Sequence, residues 1–160
     1  MPPSNVEDVT TIFMPEHGLE SVGDLARCYN VEYAWLRKNH IKTIQSLSNL
    51  TYLRVLDLSY NALQFLPDEQ FWKPMRFLQI VYVDNNRIYK VSGFSGLGAL
   101  PFLRILTLFG NPIANAPTHR AMVLALCPTV INLDGAPVSD ADLLAPSHSL
   151  HARTAAHAAA

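Results

Sequence analysis

Apolar residues along this chain recur at long, regular intervals. The segment Leu53-x-x-Leu56-x-Leu58-x-x-Asn61-x-Leu63 sets the pattern, which returns at Leu78, Val81, Val83, Asn86 and Ile88 and again at Leu103, Leu106, Leu108, Asn111 and Ile113. Val31, Ala34, Leu36, Asn39 and Ile41 keep it with smaller side chains. One unit earlier, Val9, Ile12, Met14, His17 and Leu19 keep the apolar positions but put His where the others have Asn. The polar landmarks fall at 17, 39, 61, 86 and 111, so successive units are 22, 22, 25 and 25 residues long. A fixed period in this range means an array, in which one unit cannot bury its apolar face alone and stacking supplies the missing partner.

The alternation within each unit gives its local structure. Leu56 and Leu58 share one face of a strand and point inward, while Val55, Asp57 and Ser59 point to the other face. Every unit therefore predicts one short strand. Strands stacked this way are parallel and need a crossover on the far side, for which Ile41, Ile44, Leu47 and Leu50 supply an apolar return of near-three period suited to 3₁₀ segments. The longer return over 66–75, punctuated by Pro67 and Pro74, predicts one helical turn. Asn39, Asn61, Asn86 and Asn111 stand where the chain leaves its strand and turns inward. An amide side chain carries both donors and acceptors for the stranded backbone groups, so these residues read as structural rather than ligand-binding. His17 is expected to play the same part through its ring nitrogens.

A stack of this kind needs closure at its ends. Beyond Ile113, residues 116–128 predict a helix with Pro117 early in it, Pro128 as its stop, and Met122, Val123 and Leu126 on one face. A partial repeat at 130–138 follows, and Ser139 with Asp142 reads as the N-cap of another short helix. Taken in order, Gly110-Asn111-Pro112, His119-Arg120, Cys127-Pro128, Leu133-Asp134-Gly135 and Val138-Ser139-Asp140 resemble the C-terminal cap of short-repeat leucine-rich proteins, which reads G-N-P, Y-R, L-P, L-D and V-T/S. That class takes in the phosphatase-1 regulatory repeats, the leucine-rich subunit of the U2 spliceosomal particle, the leucine-rich dynein light chain and several ciliary axonemal proteins. The resemblance covers residues 9–143, and His119 departs from it where the family has Tyr. It implies an α/β leucine-rich-repeat solenoid, with short parallel strands on the concave face, 3₁₀ or helical convex returns and a C-terminal helical cap. The chain then divides into a leader at 1–8, the repeat domain with its cap at 9–143, and an Ala/His/Ser tail at 144–160.

Composition narrows the function. Of 160 residues 49% are apolar, enough to fill a continuous core, and 12 Lys plus Arg against 13 Asp plus Glu leave no global field to steer the chain to nucleic acid or anionic membrane. Arg37, Lys38, His40 and Lys42 form one basic cluster, too small to read a phosphate backbone. The first residues lack a signal-peptide pattern and no apolar run has bilayer length, so an intracellular, cytoplasmic protein without a membrane partner is expected. Cys28 and Cys127 read as reduced core thiols. His148, His151 and His157 lack Cys or carboxylate support and predict no metal site. There is no phosphate-cradling glycine loop and no nucleophile with an evident base, so neither an enzyme nor a cofactor is expected.

The remaining place for function is the concave sheet face. Its outward positions are Thr11, Phe13 and Pro15 in the first unit; Tyr33, Trp35 and Arg37 in the second; Val55, Asp57 and Ser59 in the third; Ile80, Tyr82 and Asp84 in the fourth; and Ile105, Thr107 and Phe109 in the fifth. Tyr33, Val55, Ile80 and Ile105 make an apolar column, and Phe13, Trp35, Tyr82 and Phe109 an aromatic stripe. Exposed apolar surface of this extent marks a contact site, with Arg37, Asp57 and Asp84 setting orientation. The reading is a protein–protein adaptor in a large assembly. The resemblance implies the ciliary or flagellar axoneme, with axonemal proteins, tubulin or dynein as partners. A nuclear U2-type ribonucleoprotein component and a phosphatase-targeting subunit are the alternatives it leaves open.

Overall fold

The computed structural model describes residues 5–144. Each repeat contributes one strand of three residues: β1 Thr11–Phe13, β2 Tyr33–Trp35, β3 Val55–Asp57, β4 Ile80–Tyr82 and β5 Ile105–Thr107. The partial repeat adds β6 Asn132–Leu133, and these six strands lie parallel in chain order. β7 Ala136–Pro137 folds back antiparallel on β6 and ends the sheet. The inward row, Ile12, Ala34, Leu56, Val81, Leu106 and Leu133, is in register from end to end and belongs to one continuous core.

Unit length decides what the convex side can form. The two shorter units return through 3₁₀ turns at Gly23–Arg27 and Gln45–Asn49. The longer ones have room for an α-turn: α1 Glu69–Trp72, as expected, and α2 Phe94–Gly98, which the sequence pattern had not suggested. Asp68 caps α1 by accepting from the Phe71 amide at 3.3 Å. Phe71 and Trp72 are buried edge to face with centroids 4.8 Å apart, and the Trp72 indole donates to the Pro67 carbonyl. α2 lies so close to its neighbours that a Cβ on Gly98 would collide with the Leu126 carbonyl oxygen.

The landmark asparagines form a ladder down the stack. Asn86 Nδ2 donates to Val83 O at 3.0 Å in its own repeat and to Leu58 O at 2.9 Å in the one before, while its Oδ1 accepts from Leu63 N at 3.0 Å. Asn111 repeats this with Leu108 O, Val83 O and Ile88 N, and Asn61 with Leu58 O, Leu36 O and Ile41 N. Asn39 serves Leu36 O, Met14 O and the amides of His17 and Leu19. Every asparagine thus reaches back to the repeat preceding its own. This corrects the expectation for His17, whose ring is exposed and turned onto Pro15 O at 2.6 Å. No strand precedes β1 among the described residues, so no earlier turn needs its side chain.

The residue before each landmark takes the left-handed conformation: Glu16, Lys38, Tyr60, Asn85 and Gly110, with φ from 52° to 71°. Only Gly110 is also short of space, since a Cβ there would collide with Asn85 Oδ1.

The cap follows the pattern with two adjustments. α3 is His119–Leu126 with Thr118 at its N-cap, so Pro117 lies just outside the helix. Its fully buried residues are Val123 and Leu124, with Met122 and Leu126 half-buried against the core. α4 Asp140–Leu143 starts with a capping box between Ser139 and Asp142. Arg120 clamps the two helices: Nε and Nη2 hold the Asp142 oxygens at 2.8 and 2.9 Å, and Nη1 and Nη2 donate to Leu133 O and Pro137 O. The guanidinium and the Ser139 donors hold the Asp142 carboxyl well below the usual carboxylate range. His119 takes the place of the family's tyrosine by meeting Asp134 Oδ2 at 3.3 Å. At the other end, residues 6–8 of the expected leader form a 3₁₀ turn tied to Asn30 through Glu7 O. The expected tail, with its three histidines, lies outside the described residues apart from Leu144.

Two outcomes test this account. Asn86→Ala strands the Leu63 amide inside the stack and leaves Leu58 O and Val83 O with one asparagine donor each in place of two, and is expected to cost about 1–3 kcal/mol, measured as a lower urea midpoint with an unchanged slope. The Asp142 pKa is lower folded than unfolded, so its contribution to stability is present above the ordinary carboxylate range and is lost as pH falls through that range toward the folded value. Acid titration of the urea midpoint should therefore fall less steeply in Asp142→Asn than in the parent.

Candidate binding face on the concave sheet

The outward residues fall into three rows. Strand register aligns Tyr33, Val55, Ile80 and Ile105 in the first, and Phe13, Trp35, Asp57, Tyr82 and Thr107 in the second. Backbone bonds beyond the strand ends, such as Lys38 N to Ser59 O, Tyr60 N to Asp84 O and Asn85 N to Phe109 O, align Arg37, Ser59, Asp84 and Phe109 in the third.

Exposure separates residues that the alternation had grouped. Phe13 is 70% exposed, and Tyr33, Arg37 and Phe109 are also open to water. Trp35, Ile80, Tyr82 and Ile105 are half-buried. Val55, Asp57, Asp84 and Thr107 retain only 6–9% of their exposure, contrary to their reading as solvent-facing contact positions. Side chains on the inside of a curved sheet converge, so short ones between long neighbours lose their water. Val55 sits between Tyr33 and Ile80, and Asp57 between Trp35 and Tyr82.

Nor are the two carboxylates free rim charges. Asp57 Oδ1 accepts from Ser59 N at 2.9 Å and Ser59 Oγ at 2.5 Å. Asp84 accepts from Thr107 Oγ1 at 2.6 Å and from Asn85 Nδ2 at 2.9 Å. Above them the aromatic stripe becomes a concavity of about 360 Å³, walled by Trp35, Tyr60, Tyr82 and Phe109, with Arg37 at its side and Asp57, Ser59, Asp84 and Thr107 beneath. Arg37 stacks its guanidinium over Tyr60, 4.9 Å from the ring centroid. Phe13 stands apart from this pocket.

Sequence reasoning missed Tyr60, which lies off the strand, and the signal was an aromatic directly before a landmark asparagine. It also missed a second surface. Tyr52, Phe77 and Phe102, each preceding the first leucine of its repeat, are about half exposed. Tyr52 and Phe77 stack in parallel with centroids 6.2 Å apart, and Arg54 lies over Phe77 while pairing with Glu32.

The described residues contain no group of three His, Cys, Asp or Glu placed to hold a metal, and no helix long and apolar enough to cross a membrane. Burial pushes the Cys127 thiol up to about 12, and it donates to Phe94 O. Cys28 is half-buried.

Stacked parallel strands, an inward asparagine ladder and a helical cap define a leucine-rich-repeat solenoid. The family model described as Leucine Rich Repeat matches residues 52–73, which include β3 and its asparagine. The chain is 27% identical over 139 residues to the human leucine-rich repeat and IQ domain-containing protein 3, covering 86% of this chain and 22% of that protein. It is 28% identical over 132 residues to dynein axonemal assembly factor 11 of Trypanosoma brucei brucei, covering 82% of this chain and 33% of that one. The chain thus spans only a fifth to a third of the length of these relatives. Among solved structures it superposes on the crystal structure of the Drosophila melanogaster SNF/U2A' complex with a TM-score of 0.77 at 16% identity, over 87% of this chain and 79% of that chain, a likeness of fold. Leucine-rich repeats of this kind are generally interaction modules for proteins.

The burial of the two thiols is open to a direct check. Brief iodoacetamide treatment of the native protein at pH 8 is expected to label Cys28 and spare Cys127, with both labelled in urea, as read by peptide mass spectrometry.

Proposed function

We propose that this chain is a non-catalytic adaptor that docks a protein partner on its concave face and works in the assembly or architecture of the ciliary or flagellar axoneme, with dynein or tubulin as the partner. The observation that carries the docking face is the pocket over β2–β5, where four aromatic rings from separate repeats surround a nearly dry floor. Aromatic side chains in partly desolvated pockets are the commonest anchors of protein interfaces. The axonemal setting is supported by the relative named dynein axonemal assembly factor 11, whose match runs through most of this chain. In this reading residues 9–143 form the binding unit, acting in the cytoplasm and at the cilium. Against a nucleic-acid partner, two of the four residues of the basic cluster are engaged within the protein: Lys38 pairs with Glu16 at 2.7 Å and Arg37 lies on Tyr60.

Affinity purification from ciliated cells followed by mass spectrometry tests this. Trp35→Ala/Tyr82→Ala is expected to recover dynein or tubulin about tenfold less than the parent or more weakly still, while a variant of the second surface, Tyr52→Ala/Phe77→Ala, recovers it undiminished. Thermal unfolding of the first variant should stay close to the parent, since each lost cross-strand pair costs only about 0.2–1 kcal/mol. Equal recovery by parent and pocket variant would remove the concave face from the proposal, and co-purifying spliceosomal proteins released by nuclease would replace the axonemal setting.

A further inference from the structure

We infer that the concave pocket receives a cationic side chain, an arginine or lysine of the protein partner. This rests on the reading of the concave face as the docking surface and specifies its chemistry. Asp57 and Asp84 line the pocket, and both are more than nine-tenths buried. Neither forms an ion pair among the described residues, where the pairs are Lys38–Glu16, Arg54–Glu32, His119–Asp134 and Arg120–Asp142. The hydrogen bonds to Asp57 all reach Oδ1, leaving Oδ2 without a donor among the described residues. A carboxylate removed from water without a full set of donors or a counter-charge is costly, and an arriving cation relieves that cost. Arg37 is the one cation in the lining, and it is stacked on Tyr60. Two carboxylates against one guanidinium leave the pocket net negative.

The walls point to the same occupant. Trp35, Tyr82 and Phe109 offer ring faces, whose negative quadrupoles attract a cation and add to the charge below. An anion would meet two carboxylates, and a purely apolar anchor would enclose Asp57 Oδ2 without a donor. A hard metal ion is disfavoured because it takes six or more oxygen ligands, and the described residues hold no cluster of three acidic or metal-binding groups. The volume of about 360 Å³ lies at the small end of ligand pockets and suits one long side chain.

The chain's two tryptophans supply the readout. Trp35 lines the pocket, whereas Trp72 is wholly buried with its indole bonded to Pro67 O. The indole N–H signals of the 15N-labelled full chain are followed while Nα-acetyl-arginine methylamide is added to about 100 mM, and separately its neutral isostere Nα-acetyl-citrulline methylamide. The arginine probe is expected to shift the Trp35 signal saturably and leave Trp72 in place, with citrulline about tenfold weaker, equivalent to 1.4 kcal/mol. Asp57→Asn and Asp84→Asn, each checked for an unmoved Trp72 signal, should weaken the arginine probe by a similar factor. No saturable shift with arginine, or equal shifts with both probes, overturns the inference without any variant being needed. That failure is distinct from failure of the docking reading, which is decided by whether Trp35→Ala/Tyr82→Ala loses the partner from cells.

Discussion

A backbone that turns inward after three residues of strand strands its own amides and carbonyls where water cannot reach them. An unpartnered peptide group in such a place costs about 1–3 kcal/mol, and here the problem recurs at every repeat. The asparagine ladder answers it with a single side chain that donates twice and accepts at least once. With those groups satisfied, the inward leucines stack in register, the strands stay parallel, and the convex returns are free to be 3₁₀ or helical as length permits. The same solution fixes the left-handed residue before each landmark, which Glu, Lys, Tyr and Asn adopt as well as Gly. The repeat, and not the intrinsic preference of the residue, imposes that conformation.

The concave face follows from this scaffold rather than from any separate device. Each strand is too short to carry more than two outward side chains, so a binding surface has to be assembled from several repeats. Curvature then sorts the contributors by length. Trp35, Tyr82 and Phe109 reach the surface, and Asp57, Asp84 and Thr107 become the floor beneath them. A polar floor under aromatic walls is a different chemical object from an exposed hydrophobic stripe, because its carboxylates interact over short distances in a partly desolvated setting.

Most of the scaffold is legible in the sequence, because strand alternation and the asparagine landmarks are both local. Leu53 through Leu63 carries the entire unit, and the cap is announced by Arg120, Asp134 and the Ser139–Asp142 box. Depth was not legible. Alternation tells which face Val55 and Asp57 occupy, but only the side chains arriving from Tyr33, Trp35, Ile80 and Tyr82 on neighbouring strands bury them. α2 escaped notice for a related reason. Gly96 and Gly98 argue against a helix on intrinsic preference, yet their missing side chains are what let it approach Trp72 and Leu126. Tyr60 and the ridge of Tyr52, Phe77 and Phe102 sit outside the strand positions, where the alternation says nothing about exposure.

The ladder also has a direction. Because each asparagine reaches toward the N-terminal neighbour, every repeat is completed by the one that follows it: Asn39 finishes the turn after β1, Asn111 the turn after β4, and Asp134 takes the amides of Leu108 and Phe109 beyond β5. Translation proceeds in the same direction, so each repeat emerges from the ribosome before the side chain that completes it. The nascent solenoid therefore always has one unfinished turn at its growing end, and the last is closed only when Asp134 and the Arg120 clamp emerge.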